Sequence, residues 1–477
     1  MSIIAKETRT KIVATVGPAC NSPEQLAELI EAGADVFRIN TAHGERSDHE
    51  QTLASIRAAS EMTNRPVATL IDLAGPKIRL GELFEEPTTC HLGTEFRFVR
   101  GDEPKSANEL TSNYERLIHE LSANDRVMLA DGTVSMIVVS KEHDTVLCQV
   151  TAAGIIRSRQ GINLPGAKLS VPAMTPRDLD NAKWAAKAGA DFVSLSFVRS
   201  PVDIMQLRDL LRANGSSAMV IAKIEKPQAL DALDEIVAIT DAVMVARGDL
   251  GVEIDIAETP IVQKRIIAAC HKHQRPVIVA TQMLDSMTHA SQPTRAEATD
   301  VANAIFDGTD ACMLSAETAV GDHPRLVVEM MNRIMYVTEQ QLRDKPSDDS
   351  HNEVAGIHPT STAVVYGAAQ VARRIDAKLV VIASKSGITA LVKSKQRDFI
   401  PSVGVSNNDA TLRRMCLFWG IMPLAGAPVS DQVKLREFIE SWGRSTGRLN
   451  TGDQIVYVTG NNIISDTHNM MVVDEVK

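Results

Sequence analysis

Eight short runs rich in Val, Ile, Ala and Leu, each closing on a polar residue, recur through the chain as far as Glu317. They occupy residues 10–16, 35–41, 67–72, 191–197, 219–225, 241–249, 277–281 and 311–317. A strand that is apolar throughout is buried on both faces, which points to a parallel sheet. Eight of them alternating with helical patterns predict a closed (β/α)8 barrel, whose active site sits at the C-terminal strand ends. The polar residues at or just past those ends are therefore candidates for chemistry: Arg38, Asn40, Asp72, Lys223, Glu225, Asp249, Thr281 and Glu317.

The helical patterns between the runs carry their own punctuation. Ser22 followed by Glu24, Leu26, Leu29 and Ile30 reads as a capped amphipathic helix closing at Gly33, and Thr175-Pro176 opens another that ends at Gly189. One segment, 80–170, departs from the alternation. It holds strand-like pieces at 95–99, 126–129, 134–139 and 145–150, with turns at Asp131-Gly132 and 142–144. Short strands at close spacing suggest a small β-barrel or sandwich. Inserted at the catalytic face, such a unit is placed to act as a lid. A polar stretch over 344–359 reads as a linker, and a second α/β pattern follows it. The expected division is thus a barrel over 1–79 and 171–343, a lid over 80–170, and a C-terminal α/β domain over 344–477.

Composition removes several function classes. A net charge of −10 argues against a general nucleic-acid binder, and aromatic residues make up only 4%, too few for base-stacking platforms. The six cysteines are far apart and form no CxxC pair, so neither a zinc site nor a disulfide framework is expected. No apolar run reaches membrane-spanning length, and the N-terminus lacks a signal core, so the expectation is a reduced, cytoplasmic protein with no membrane partner.

The strand ends suggest a chemistry. Lys223 and Glu225 are two apart on one strand and so share a face. Asp249 lies just beyond the next strand. Two carboxylates beside a cation can hold a hard divalent ion, since Mg²⁺ favours one or two carboxylates with substrate oxygens and waters. Gly248 and Gly251 flank Asp249 and let the backbone approach an anion, ahead of a helix expected over 257–270. Arg38, Asn40, His43, Lys77 and Arg79 converge on the same end and suggest an anionic, phosphorylated substrate. Thr281 and Ser315 could bind a carboxylate or relay a proton through water, or simply satisfy barrel-end polar groups.

At this point whole strings become specific. Ile221-Ala-Lys-Ile-Glu225, the run from Val243 through Ala-Arg-Gly-Asp249 to Glu253, Ala280-Thr-Gln-Met-Leu284, Pro293-Thr-Arg-Ala-Glu297, Gly75-Pro-Lys-Ile-Arg79, Gly161-Ile-Asn-Leu-Pro-Gly166 and Met313-Leu-Ser-Ala-Glu-Thr318 strongly resemble pyruvate kinases. The resemblance implies the barrel, the inserted lid and a C-terminal regulatory domain. It implies Mg²⁺ (or Mn²⁺) on Glu225 and Asp249, with Lys223 on the transferring phosphoryl group and Arg38 on phosphate. Thr281 and the backbone of Gly248-Asp249 would hold the carboxylate of phosphoenolpyruvate, Asn40, His43 and Arg79 would face the phosphates of ADP, and Thr281 and Ser315 would serve the water network that protonates the enolate. The family is usually tetrameric.

The chain departs from that pattern in three places. Relatives that need K⁺ typically carry Ser, Thr and Glu where this chain has Ala42, Leu73 and Lys77, so a fixed ammonium is expected to replace the monovalent ion and K⁺ is not expected to be required. Gln160 stands where a lid Lys is usual, with Arg157 and Arg159 as possible substitutes. In the C-terminal domain, Ser384, Lys385, Ser386, Gly387 and Thr389 follow a strand and open a helix, a plausible phosphate pocket for a sugar-phosphate or AMP effector. Ile388 stands there where Arg is usual, and Lys393 and Lys395 either assist or form a solvated helix face. Two rivals are a carbon–carbon lyase on a Mg²⁺ barrel and a non-catalytic ligand sensor. The first would not need the inserted lid, Asn40 or Arg79, and the second would not retain Glu225 and Asp249.

Overall fold

The computed structural model describes residues 8–167, 170–343, 358–460 and 470–477. Eight parallel strands close a barrel: Lys11–Thr15 (β1), Val36–Asn40 (β2), Ala68–Leu73 (β3), Phe192–Leu195 (β4), Met219–Ile224 (β5), Ala242–Ala246 (β6), Val277–Ala280 (β7) and Ala311–Leu314 (β8). Each neighbour pairs with the next, and β8 returns to β1 with Lys11 opposite Ala311. All eight runs read from the sequence are strands. Their C-terminal limits fall furthest short of the expected ones at β6 and β8, because Arg247–Glu253 and Ala316–Ala319 are helical, and β4 stops at Leu195 rather than Phe197.

Period-two alternation divides each strand between two cores. Ile12, Ala14, Phe37, Ile71 and Val193 face outward into the cluster formed with the surrounding helices. Val13, Val36, Ala68, Leu70, Phe192 and Ile221 face inward. Continuing the inward parity toward the C-terminal ends leads to Thr15, Arg38, Asp72, Ser194 and Lys223. The barrel interior is thus apolar for most of its depth and polar in its last layer.

The helices obey the expected caps. Ser22 caps Pro23–Ala32 in a reciprocal box with Gln25, and Gly33 closes it at φ +123°. Thr175 and Asp178 form the equivalent box at Pro176–Lys187. Such caps are worth about 1 kcal/mol each.

Between β3 and β4 the chain builds a six-stranded sheet and a two-stranded one around a core of its own. The four expected strands are present, at Glu95–Val99, Arg126–Leu129, Val134–Lys141 and Thr145–Ala152. Four short ones were not anticipated, among them Ile162–Asn163, which returns the chain to the barrel. The expected linker lies almost wholly outside the described residues. Beyond it, parallel strands Leu379–Ala383, Ser402–Val405, Ile421–Pro423 and Gln454–Thr459, with antiparallel Met470–Glu475, form the sheet of an α/β domain.

That domain docks on the N-terminal end of the barrel, where an aspartate precedes each even-numbered strand. Asp35, Asp191, Asp241 and Asp310 accept the backbone N–H of Ile12, Thr69, Val220 and Val277 at 2.8–2.9 Å. Each therefore ties the start of its own strand to the strand before it. Arg413 reaches Asp191 at 2.7 Å, and Lys395 and Arg397 reach Asp310 at 2.7 and 3.0 Å. All six cysteines are buried free thiols. Among the described residues no helix is long and apolar enough to cross a membrane.

Candidate active site

The polar layer at the C-terminal strand ends is one connected network. Asp72, on β3, accepts from Arg38 Nε at 2.7 Å and from Ser194 Oγ at 2.6 Å. Arg38 is held on its other side by Thr15 Oγ1 at 3.1 Å. Lys223 Nζ donates to Ser196 Oγ at 2.7 Å, pairs with Glu225 Oε1 at 2.9 Å, and lies 3.6 Å from Asp72. Glu225 is fully buried and accepts the backbone N–H of Phe197 at 2.7 Å. Phe197 adopts φ +55°, a conformation a bulky side chain rarely takes, and its turn aims that N–H at the carboxylate.

The electrostatics follow from burial and neighbours. Burial raises the Asp72 carboxyl, but Lys223 and Arg38 outweigh it and hold it below the usual carboxylate range. Burial lowers the Lys223 ammonium, but Asp72 and Glu225 reverse this and push it up to about 12. Glu225 moves upward, chiefly from burial, with Lys223 opposing and Asp249 adding to the rise. Asp249 and Glu225 thus repel each other across one site, a repulsion that a divalent ion would relieve. Among the described residues no group of three or more His, Cys, Asp or Glu could hold a metal. Glu225 with Asp249 is a two-carboxylate set of the kind that Mg²⁺ can complete with substrate oxygens and water, so the donors would fit such an ion.

The structure brings Lys77 into this network. Its Nζ lies 3.1 Å from Asp249 Oδ1, and the side chain is about a quarter exposed. It runs beside Gly161, where an added Cβ would come within 2.9 Å of Lys77 Cε, so the glycine makes room for the lysine. Ala42 and Leu73, the other two departures, present no hydroxyl; Leu73 is fully buried.

Thr281 and Ser315 occupy the far side. Thr281 sits at φ +69°, strained for a β-branched residue, and Gln282 follows at +54°. Arg247 holds this turn: its Nη1 donates to both Asp300 carboxylate oxygens at 2.7 and 2.8 Å, and its Nη2 donates to the Thr281 carbonyl at 2.6 Å. Thr281 Oγ1 accepts from Gly248 N at 2.8 Å. The Gly248 N–H expected to face an anion is thus engaged by Thr281. Gly248 and Asp249 also lie in the first turn of Arg247–Glu253, not in a loop ahead of a helix starting at 257, which begins instead at Thr259. Ser315 Oγ is buried with no hydrogen-bond partner, while its backbone N–H is taken by Glu317.

Three expected phosphate contacts are more loosely gathered. Asn40 Oδ1 accepts from Ala42 N, and His43 is exposed at the same strand end. Arg79 lies in the crossing to the inserted sheets, bridged to Gly161 and donating to the Arg159 carbonyl at 3.2 Å. Arg159 pairs with Glu82 at 2.5 Å, and Gln160 Oε1 accepts the backbone N–H of Arg157 at 2.7 Å. Asp72, Ser194, Ser196 and the Arg247–Asp300 pair had been given no role; only Asp72 carried a signal, as a polar strand end.

In the C-terminal domain, Ser384 Oγ accepts from Gly387 N at 3.0 Å, Ser386 Oγ from Ile388 N at 3.4 Å, and Thr411 fixes the Lys385 carbonyl at 2.9 Å. Gly387 sits at φ +86° before the helix Ile388–Lys395, with Thr389 buried inside it. Neither expectation for Lys393 and Lys395 holds. Both are buried, on Asp398 at 2.5 Å and Asp310 at 2.7 Å, and make neither a solvated face nor part of the loop.

A (β/α)8 barrel with paired acids and cations on its C-terminal strand ends, roofed by an inserted β unit, defines a class of barrel enzymes acting on anionic substrates. The comparisons narrow the class. Residues 7–328 match the family model for the pyruvate kinase barrel domain, and 362–473 that for the pyruvate kinase alpha/beta domain. Pyruvate kinases of Corynebacterium glutamicum and Mycobacterium tuberculosis are 40% and 39% identical, each alignment covering 95% of this chain and 94% and 95% of theirs. The crystal structure of a pyruvate kinase from Cryptosporidium parvum superposes with TM-score 0.91 at 30% identity, covering 99% of this chain and 97% of that one. The chain belongs to the pyruvate kinase family and is a phosphotransferase, which implies phosphoenolpyruvate and ADP as substrates.

Proposed function

We propose that this chain transfers the phosphoryl group of phosphoenolpyruvate to ADP in a Mg²⁺-dependent reaction of glycolysis in the cytoplasm, without requiring K⁺. The observation that carries the reading is the buried Arg38–Asp72–Lys223–Glu225 network at the strand ends. Phosphoryl transfer is mainly positioning and neutralisation of charge. Arg38, oriented by Asp72 and Thr15, binds phosphate. Lys223, kept protonated by two acids, neutralises charge on the transferring group and then on the enolate oxygen. Glu225 and Asp249 would hold the divalent ion, which when bound supplies further charge neutralisation on phosphate oxygens. Thr281 holds the substrate carboxylate and, with Ser315, orders the water that protonates the enolate; Gly248 N–H joins the carboxylate once Thr281 Oγ1 turns to substrate. Asn40, His43 and Arg79 approach ADP when the lid, residues 80–170, closes.

Lys77 places its ammonium beside Asp249, which supports an internal cation in place of K⁺. Exchange of Na⁺ for K⁺ should leave kcat unchanged; a large rise would refute this part. The Ser384–Thr389 loop takes a phosphorylated effector such as a sugar phosphate or AMP, within the homotetramer usual for the family. The function is tested by pyruvate formation from phosphoenolpyruvate with and without ADP. Equal amounts of ATP and pyruvate, both requiring ADP and Mg²⁺, are expected; pyruvate without ADP would favour the lyase.

A further inference from the structure

A cavity of about 290 Å³ lies beside the strand-end network, between both crossings to the inserted sheets and the turns after β4 and β5. Its size is at the low end of ligand pockets, which run from roughly 300 Å³. Pro76 and Ile78 of the first crossing, Leu164 and Ala167 of the second, and Phe197 supply apolar walls. Its polar groups are unequally satisfied. Lys226 pairs with Glu253 Oε1 at 2.6 Å, Asn163 Nδ2 donates to the same oxygen at 3.1 Å, Lys77 is committed to Asp249, and Arg199 is held by Asp203 and the Val171 carbonyl. Left without a hydrogen-bond partner are Asn163 Oδ1, Glu253 Oε2 and Gln228 Oε1, all acceptors, and Asn163 and Glu253 are 4% and 5% exposed. Buried acceptors in want of donors on an apolar wall suit a compact planar molecule bearing N–H groups.

We infer that this chamber is a second small-molecule site, distinct from that of the phosphorylated substrates, which takes a flat apolar body carrying an amidine or amino-heterocycle edge. Donors on that edge satisfy Asn163, Glu253 and Gln228, and the ring lies against Phe197. Both crossings line the cavity, so an occupant wedges them apart and opposes lid closure. That regulatory consequence rests on the lid reading proposed above; binding itself does not.

The test uses benzamidine as the probe, with benzoate as a control of the same ring but opposite polarity. Titration calorimetry of the full chain should detect benzamidine and not benzoate. Ala167→Trp, which fills the chamber, should abolish the signal. Gln228→Leu, which removes one acceptor, should weaken it about tenfold. In turnover assays benzamidine should lower kcat in a way that saturating phosphoenolpyruvate does not relieve. No binding, equal binding of benzoate, or unchanged binding in both variants would overturn the site. Binding with these signatures but competition with phosphoenolpyruvate would overturn the wedge. Turnover without the probe reports separately on the phosphotransfer reading.

Discussion

The two ends of the barrel spend their charged residues differently. At the N-terminal end, Asp35, Asp191, Asp241 and Asp310 are each bonded to a backbone N–H, and Asp191 and Asp310 also receive cations from the C-terminal domain. At the C-terminal end, burial raises Glu225, Ser315 Oγ has no partner, and Thr281 and Phe197 sit in left-handed backbone conformations. One end commits its acids to backbone and cross-domain partners and holds the fold together, although Arg275, Arg397 and Arg414 each keep a buried Nε there without a partner. The other is strained and in want of partners that substrate and metal would bring.

The comparison can be broken by neutralising one acid at each end. Asp310→Asn leaves Lys395 and Arg397 buried beside an uncharged group, and the loss of a buried ion-pair partner costs roughly 3–5 kcal/mol. Denaturant unfolding should register that loss. Glu225→Gln should cost turnover by roughly 10²–10³ while unfolding stability holds or rises, since it removes a desolvated charge. A fall in stability matching that of Asp310→Asn would erase the distinction.

Acid sharpens it. His271 bonds the Gly308 carbonyl at 2.8 Å near the Asp310 cluster. Burial, with Arg397 and Lys395 nearby, lowers its pKa from 6.5 to about 4. Between those values the unfolded chain binds a proton that the fold refuses, so stability falls as pH drops through that window, by up to ~3 kcal/mol. His271→Phe should flatten this part of the stability profile if the variant folds. The smallest effect belongs to Ser315→Ala, which deletes a buried unpartnered hydroxyl and should raise stability by about 1 kcal/mol, read as a higher melting temperature, while slowing enolate protonation.

Much of the barrel was legible because its strands are buried on both faces and its polar ends break the apolar runs. Lys223, Glu225 and Arg38 could be placed at one end by parity and position alone. Asp72 could be placed there too, but its partners come from β2, β4 and β5, and pairing across strands has no local signature. The helix Arg247–Glu253 was hidden because two glycines in Arg-Gly-Asp-Leu-Gly disfavour helix; Arg247 lies at its start and is anchored to Asp300, far along the chain. Lys393 and Lys395 were misread for a related reason. Helical periodicity cannot reveal that another domain will cover the face they occupy. The four base aspartates stood at or beside the starts of expected strands, yet their shared role appears only when adjacent strands are aligned.

Lys223→Met tests the central claim most directly, in a single-turnover measurement of phosphoryl transfer from phosphoenolpyruvate to ADP alongside a melting curve. The account predicts a cooperatively folded variant whose transfer rate falls by roughly 10²–10³ or more. Undiminished transfer in that folded variant would contradict it.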